Sequence, residues 1–357
     1  MSAIGERLKL ARRMARLSQQ ELAEQTGVSK MAISKYENNQ MMPGSDVLLK
    51  LAQALNVHLE FLVRQALKIE IRPVYRKHGR MGAKAQQAIN AQIQDWLERY
   101  LATESFFPPD EIRPFRWPEG FPRPVEMVEQ AEDVAAGLRA AWQLGDDPIA
   151  NLAELLEEKG IKVGLVNGDD DFDACTFLYN GDIPIMAVNE NKPGDRQRFS
   201  LAHELGHIML KVAPEVNEEK VAHRFAGAFL APEKAVLIEL GQARRALDQF
   251  ELMLLKQKYG VSMAAWIYRA KDIGVLSEPD ATAMWQTFRS RGWHRREPGE
   301  PFPLEQPRRM TRLVRRLLAE DAISRSRAAE LLGLSLGLYL KQHREIYDGA
   351  AKPATYP

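Results

Sequence analysis

A dense run of prolines restricts what the first third of this chain can fold into. Six prolines lie between residues 107 and 124, namely Pro108, Pro109, Pro114, Pro118, Pro122 and Pro124. Because proline fixes φ and has no backbone N–H group, this segment cannot form a helix or a central strand. The same stretch is rich in aromatic side chains, namely Phe106, Phe107, Phe115, Trp117 and Phe121. We therefore predict an extended connector that is packed through these rings rather than a loose linker.

Length and composition narrow the class of protein further. With 357 residues, the chain exceeds one average domain, so we expect several. A hydrophobic share of 45% and a charged share of 27% are typical of globular protein and exclude global disorder. The 49 lysines and arginines balance 48 aspartates and glutamates, so any surface that binds nucleic acid must be local.

The order of apolar and turn-forming residues predicts a mainly α protein with a small β-sheet (α+β). We divide it into four regions, 1–65, a connector at 66–124, 125–280 and a basic helical region at 281–357. The connector includes a predicted edge strand at 68–75 and a helix at 82–104. Strands are predicted at 161–166 and 183–189, and helices at 125–143, 147–159, 199–210, 218–230 and twice within 247–274.

Several absences indicate where the protein acts. Cys175 is the single cysteine, so no internal disulfide can form, which is typical of a reducing cytosol. The N-terminus lacks the apolar core of a signal peptide, and no stretch of about 18 uninterrupted apolar residues is present. We expect a cytoplasmic protein without a membrane partner. Cys175 itself is predicted to be a structural residue in a loop before Tyr179.

Closely spaced helix signals mark the first 62 residues. A helix at 4–17 is followed by Ser18, which forms an S-x-x-E capping box with Glu21. Gly27 ends the second helix, and Ser29 caps a third. Ser45 is expected to cap a fourth helix. Two short helices joined by a turn at glycine are the signature of a helix-turn-helix.

This arrangement predicts contacts with DNA. The third helix would lie in a major groove, with Ile33 and Tyr36 turned toward the core. Its outer face carries the candidate DNA-binding residues Lys30, Met31, Ser34, Lys35 and Asn38. Gln19, at the start of the preceding helix, could bond a phosphate or a base edge. Nine lysines and arginines against six acidic residues make segment 1–64 locally basic.

Residues 4–62 resemble the phage-repressor-like (XRE) DNA-binding domain. The positions that carry the resemblance are Ser18-Gln19, Glu21-Leu22-Ala23, Gly27-Val28-Ser29, Ile33-Ser34 and Tyr36-Glu37-Asn38. Asn39 stands where the family often has glycine and tolerates the same left-handed conformation. The resemblance implies a five-helix domain that binds double-stranded operator DNA, usually as a homodimer. The alternative is a degenerate fold used only for protein contact.

A second motif, His203-Glu204-Leu205-Gly206-His207, has the spacing of a metal site. On a helix, His203 and His207 are one turn apart and share a face, so two imidazoles can reach one metal ion. Glu204 is offset by about 100° and can hold the water that the metal polarises. A zinc-bound water becomes a nucleophile near neutral pH, and the glutamate accepts its proton.

A hydrolytic zinc site needs a third protein ligand and one open position. The predicted helix at 218–230 offers three candidates. Glu219 lies on its inward side and ranks first, His223 is second, and Glu218, which points more toward solvent, is third. His223 could equally be a packed or hydrogen-bonded core histidine, and Glu215 is expected to be a solvated loop charge.

The segment RQRFSLAHELGHIML followed by ExxAxxFAxxFLAP resembles the ImmA/IrrE metallopeptidase family over about 134–277. The resemblance implies a gluzincin-like domain in which His203, His207 and Glu219 bind zinc and Glu204 acts as the base. It also implies site-specific cleavage of a partner repressor. The family usually has asparagine where this chain has His223.

The last region is basic and is predicted to be helical over 289–345. Two short helices are expected at 324–332 and 335–343, with Ser324 and Ser335 as caps. The turn at Gly333 gives this segment a helix-turn-helix-like character. Its arginines could touch DNA phosphates. Alternatively, the region is a dock for a partner or second protomer, or is simply packed.

Together these patterns predict a cytoplasmic DNA-binding transcriptional regulator with a zinc-dependent endopeptidase domain. Its partners would be operator DNA and a protein substrate or regulator, and it would act in a stress, phage or mobile-element response. The alternative is a non-catalytic repressor or antitoxin whose peptidase-like domain only senses a ligand or binds a partner.

Overall fold

A computed structural model describes residues 4–64 and 81–342. The chain divides into two compact units. Of the described residues, 4–64, 81–112 and 308–342 lie in the first unit, and 113–307 lie in the second. The predicted strand at 68–75 lies outside the described residues. The predicted class is confirmed, since helices dominate and the strands form only small sheets.

The first unit begins with the five predicted helices. They are α1 (Ile4–Met14), α2 (Gln19–Thr26), α3 (Lys30–Glu37), α4 (Ser45–Ala54) and α5 (Leu59–Val63). Each contributes apolar side chains to one core, which includes the fully buried Leu8, Leu22, Ile33, Leu51 and Leu62. Burial of such side chains supplies most of the stability of a small helical domain.

Most predicted caps are confirmed. The Ser18 hydroxyl accepts a hydrogen bond from the Glu21 N–H group, which completes the capping box. Gly27 has φ +70° and Asn39 has φ +55°, the left-handed conformations that their positions require. The prediction for Ser45 was wrong, because Gly44 is the N-cap and makes no side-chain hydrogen bond.

A long helix, α6 (Ala83–Glu104), confirms the predicted helix at 82–104 and buries Ile89, Ile93 and Leu97. It packs against α1 through charged as well as apolar groups. Asp95 accepts hydrogen bonds from Arg64 at 2.5 Å and from Arg99 at 3.0 Å. Arg7 of α1 pairs with Glu98, and both side chains are almost fully buried.

The rest of the first unit comes from the end of the chain. Helices α15 (Arg309–Ala319) and α16 (Arg325–Leu332) are followed by helical residues 336–342. Residues 291–308, by contrast, form no helix, so the prediction of a helical stretch from 289 onward was wrong there. Four prolines at 298, 301, 303 and 307 give the physical reason.

The proline-rich segment 107–124, at the end of the connector, contains no helix, as predicted. Phe107 and Phe121 are buried and Phe115 is partly buried, but Phe106 and Trp117 are exposed. Trp117 nevertheless packs edge to face on Phe115, with ring centroids 5.0 Å apart, so the expectation of a packed ring was wrong for Phe106. The end of the connector forms an unpredicted strand, β1 (Arg123–Val125), which pairs in parallel with β5 (Leu210–Val212).

The second unit surrounds a three-stranded sheet of β2 (Lys162–Val166), β3 (Ala174–Tyr179) and β4 (Ile183–Asn189). Strand β4 is central, with β2 parallel to it and β3 antiparallel. Cys175 lies in β3 and is buried, so its predicted loop position was wrong. Helices α7 (Ala131–Ala141) and α8 (Leu152–Glu158) are shorter than predicted.

Two helices carry the candidate metal ligands, α9 (Gly194–Met209) and α10 (Glu218–Leu230). They are followed by α11 (Glu233–Leu240), α12 (Gln249–Tyr259), α13 (Met263–Asp272) and α14 (Glu278–Ser290). Among the described residues, no helix combines the length and apolarity needed to cross a bilayer.

Candidate metal centre and DNA-binding surface

Close packing of α9 against α10 brings the motif residues together. Gly206 lies within the motif, and a Cβ atom at this position would lie 3.0 Å from the Phe225 ring and 3.4 Å from the Ala222 Cα. Because glycine has no Cβ, the two helices can approach more closely than with any larger residue at this position. That approach places the first turn of α10 beside His203 and His207.

Three potential ligands converge on one point. His203 Nε2 lies 3.0 Å from His207 Nε2 and 3.3 Å from Glu219 Oε2. His207 Nε2 lies 3.6 Å from Glu219 Oε1. Tetrahedral zinc with bonds of about 2.0–2.1 Å holds its ligand atoms about 3.3 Å apart. The two imidazole nitrogens and the carboxylate therefore fit a divalent metal ion in both chemistry and spacing.

The other two candidates contact the far sides of the same imidazole rings. Glu218 Oε1 lies 3.3 Å from His207 Nδ1, and His223 Nδ1 lies 3.0 Å from His203 Nδ1. Hydrogen bonds at the second ring nitrogen fix the orientation and tautomer of a ligating histidine. The Glu218 side chain is 42% exposed and that of Glu219 is 47% exposed, so the expected difference in solvent exposure was wrong. The two carboxylates differ in the nitrogen atoms that they face. Glu218 faces His207 Nδ1, whereas Glu219 faces the Nε2 atoms of His203 and His207.

Two side chains at the site have pKa values well below their ordinary range. The hydrogen bond with His203, together with the charges of His207 and His223, lowers the pKa of Glu219 to about 2. The Glu219 carboxylate is therefore ionised far below neutral pH, as a metal ligand has to be. Loss of solvent and the nearby His203 and Arg196 lower the pKa of His223 to about 4. A neutral His223 imidazole can exchange a hydrogen bond with His203 without adding positive charge.

Cys175 lies in β3, which packs against α9, the helix that carries the half-buried Glu204. Burial, with a contribution from the Glu204 charge, raises the pKa of the Cys175 thiol well above its usual value. A buried neutral thiol is a poor nucleophile and a poor metal ligand. This supports the prediction that Cys175 is structural.

A cavity of about 540 Å³ opens beside His223, which contacts the candidate ligand His203. Phe199 and His223 form part of its wall and meet edge to face, with ring centroids 5.3 Å apart. The wall also carries two acidic side chains, Asp195 and Glu297, which both pair with Lys256. Its other cationic side chains are Lys192, Arg196, Arg295 and Arg296. The sequence analysis assigned residues 293–301 to the basic C-terminal region and did not predict that they line this cavity. The excess of arginines from residue 289 onward was the one sequence feature that marked the segment as a candidate binding surface.

The predicted DNA-binding face of α3 is exposed. Met31 is 67% exposed, whereas Ile33 and Tyr36 are buried as predicted. Lys30, Lys35 and Asn38 are exposed and Ser34 is half-buried. The Asn38 amide donates a hydrogen bond to the Ser34 carbonyl at 2.9 Å, so one of its donors stays within its own helix.

Gln19 has an anchor that the sequence analysis missed. Its side-chain amide donates a hydrogen bond to the buried Glu37 carboxylate at 2.8 Å. Arg12 donates two further hydrogen bonds to the same carboxylate, at 2.6 and 2.9 Å. Glu37 thus fixes the start of α2 relative to α3 and leaves the Gln19 carbonyl oxygen available for another partner.

Comparisons with known proteins agree with this division of the chain. Residues 8–62 match the family described as helix-turn-helix, and residues 157–271 match the family described as IrrE N-terminal-like domain. A stretch of 61 residues is 38% identical to the HTH-type transcriptional regulator ImmR of Bacillus subtilis (strain 168). That stretch is 17% of this chain and 48% of ImmR, so the chain spans about half the length of this relative. The chain therefore joins an XRE-type helix-turn-helix to a domain of the ImmA/IrrE type.

Proposed function

We propose that this protein is a DNA-binding transcriptional regulator whose second unit is a zinc-dependent endopeptidase. The observation that carries the proposal is the convergence of His203, His207 and Glu219 on one point, with Glu204 beside them on α9. The exposed face of α3 and the similarity to ImmR, named a transcriptional regulator, support the DNA-binding role. Such a protein would act in the cytoplasm, where the DNA is.

The proposed chemistry follows from the roles of four side chains. His203, His207 and Glu219 would hold Zn²⁺, which supplies a Lewis acid that polarises a peptide carbonyl and a water molecule. The Glu204 carboxylate would accept a proton from that water and pass it to the departing amine. Glu218 and His223 would keep the two imidazole rings in orientation through their Nδ1 atoms.

Two features of the second unit support a polypeptide substrate. Strand β3 is an edge of the three-stranded sheet, and an extended peptide could pair with it beside α9. Arg295 and Arg296, in the wall of the cavity next to His223, would suit an acidic segment of that peptide. We infer that the substrate is a partner repressor or regulator, which the DNA-binding unit would meet at the operator.

Metal content tests the proposal directly. Protein purified without chelator or affinity-tag nickel should contain about one zinc per chain, measured by elemental mass spectrometry, and the Glu219→Ala variant should lose it. Glu215→Ala is the matched control, because it removes an exposed carboxylate close by in the chain. Absence of zinc from the wild-type protein after reconstitution would contradict the peptidase role.

A second substitution separates catalysis from metal binding. Glu204→Gln should keep zinc and DNA binding but abolish cleavage of the partner, because the amide cannot accept the proton. If a reporter driven by the cognate promoter responds equally to wild type and variant, the second unit is a sensor and the protein is a non-catalytic regulator.

A further inference from the structure

The first unit contains a second segment with the geometry of α2 and α3. Ser324 caps α16 by accepting a hydrogen bond from the Arg327 N–H group, and α16 has eight residues, as α2 has. Gly333 ends it with φ +70° and ψ +25°, against φ +70° and ψ +23° for Gly27. Ser335 then accepts a hydrogen bond from Leu338 N–H and starts the next helical residues, 336–342. The order serine, eight residues, glycine, one residue, serine is the same in both segments.

Three buried positions correspond as well. Ala328, Ala329 and Tyr339 occupy the positions that Leu22, Ala23 and Ile33 occupy in the first segment, and all six side chains are buried. The inner surface of a helix-turn-helix holds its two helices at a fixed angle. The agreement therefore extends from the turn to the packing between the two helices.

Helix α6 holds this second segment in place. The Arg99 guanidinium donates a hydrogen bond to the Leu331 carbonyl at 2.9 Å, near the end of α16. A Cβ atom on Gly333 would lie 2.8 Å from that guanidinium, so both the positive φ and the close contact favour glycine. Phe107, Leu317 and Ile323 complete a separate apolar core beneath α15 and α16.

The segment is also basic. Residues 309–342 carry seven arginines and lysines against three acidic residues. Arg325 and Lys341 are exposed and stand where the first segment has Gln19 and Lys35. Gln19 lines one recess with Lys30 at the start of α3, so the corresponding Arg325 is expected beside the start of helical residues 336–342.

We propose that α15, α16 and residues 336–342 form a second helix-turn-helix element that binds duplex DNA. Arg325 and Lys341 contact the phosphate backbone, and the exposed Leu336, which stands where the first segment has Lys30, faces the groove, where apolar side chains can meet thymine methyl groups. The proposal is independent of the metal centre.

The test measures binding of the full-length protein to a fluorescein-labelled 30-base-pair duplex of mixed sequence by anisotropy over a range of salt. Each phosphate contact contributes about 0.9 to the slope of log K against log salt. Arg325→Gln with Lys341→Gln should weaken binding and lower that slope by up to about 2. The control, Arg245→Gln with Arg289→Gln, makes the same charge change on exposed residues of the second unit and should leave the slope unchanged.

A second comparison separates the two elements. Lys30→Gln with Lys35→Gln should leave salt-dependent binding that disappears when Arg325→Gln and Lys341→Gln are added. If the fourfold variant binds as well as the Lys30/Lys35 variant, the second element does not bind DNA. If Leu336→Ser with Leu338→Ser alters the sedimentation coefficient but not DNA binding, the segment is a protein-docking surface and the proposal is wrong. Wild-type protein that does not bind the duplex at low salt overturns the DNA-binding role of both elements.

Discussion

At the scale of single residues, the candidate metal centre depends on pairs of atoms that are each about 3 Å apart. His203 presents Nε2 to His207 and Glu219 and Nδ1 to His223. Both of its ring nitrogens are therefore engaged, which fixes the plane of the ring. This arrangement would pre-organise the donor atoms for a metal ion, since pre-organised ligands lose less conformational entropy on binding.

Gly206 gives a prediction at this scale. Gly206→Ala places a methyl group 3.0 Å from the Phe225 ring, so α10 must shift and carry Glu219 away from the histidines. Zinc affinity should fall by about tenfold or more, as for other changes that reorient a ligand. Competition with a chromophoric chelator measures the affinity.

Gly227→Ala is the control. Its Cβ atom would lie 3.5 Å from the nearest neighbour, an ordinary contact, and alanine is the better helix former. Zinc affinity should not change, and equal losses in the two variants would show that helix spacing does not govern the site.

At the scale of elements, charged side chains join α1 to α6. Burial by itself raises the pKa of Asp95. Arg99 and Arg64 outweigh this effect through their charges and their hydrogen bonds, so the pKa is lowered overall. Removing one member of a buried ion pair leaves the opposite charge buried without compensation. The resulting loss of stability is larger than the net stability that the pair contributes. The DNA-binding helices thus depend for their stability on a helix outside the matched residues 8–62.

Asp95→Asn tests this dependence and its pH profile. The substitution should lower the free energy of unfolding of the first unit by about 3–5 kcal/mol at neutral pH. Because the folded-state pKa lies below the unfolded value, the wild-type advantage exists above the unfolded pKa of about 3.9 and is lost as pH falls through the folded value. Urea unfolding at a series of pH values measures it. Equal stability of the two proteins at neutral pH would contradict the role of Asp95.

At the scale of the whole molecule, a protein that binds operator DNA is expected to form a two-fold symmetric dimer. Two copies of α3 would read two half-sites about one helical turn, or about 10 base pairs, apart. We therefore predict a homodimer in sedimentation equilibrium and a footprint with an inverted repeat of that spacing. A monomer that protects a single, non-repeated site would contradict the prediction.

Short-range signals allowed much of this protein to be predicted from its sequence. The Ser18–Glu21 capping box, the left-handed Gly27 and the one-turn spacing of His203 and His207 all depend on residues within one helical turn or one tight turn. Local backbone geometry fixes such features wherever the segment lies. The same reasoning missed β3, whose few residues pair with β4 across a turn and show no clear alternation.

Only the tertiary structure decided which acidic residue faces the shared point of the metal centre. Glu218 and Glu219 are neighbours on α10, and the approach permitted by Gly206 determines the nitrogen that each one meets. The tertiary structure also places residues 293–301 at the cavity beside His223. Glu297 accepts hydrogen bonds from the Met263 and Ala264 N–H groups at the start of α13. Residues 293–301 show no regular hydrophobic period, so the sequence contains no pattern that predicts where they pack. Their position is set by contacts with residues far away in the chain.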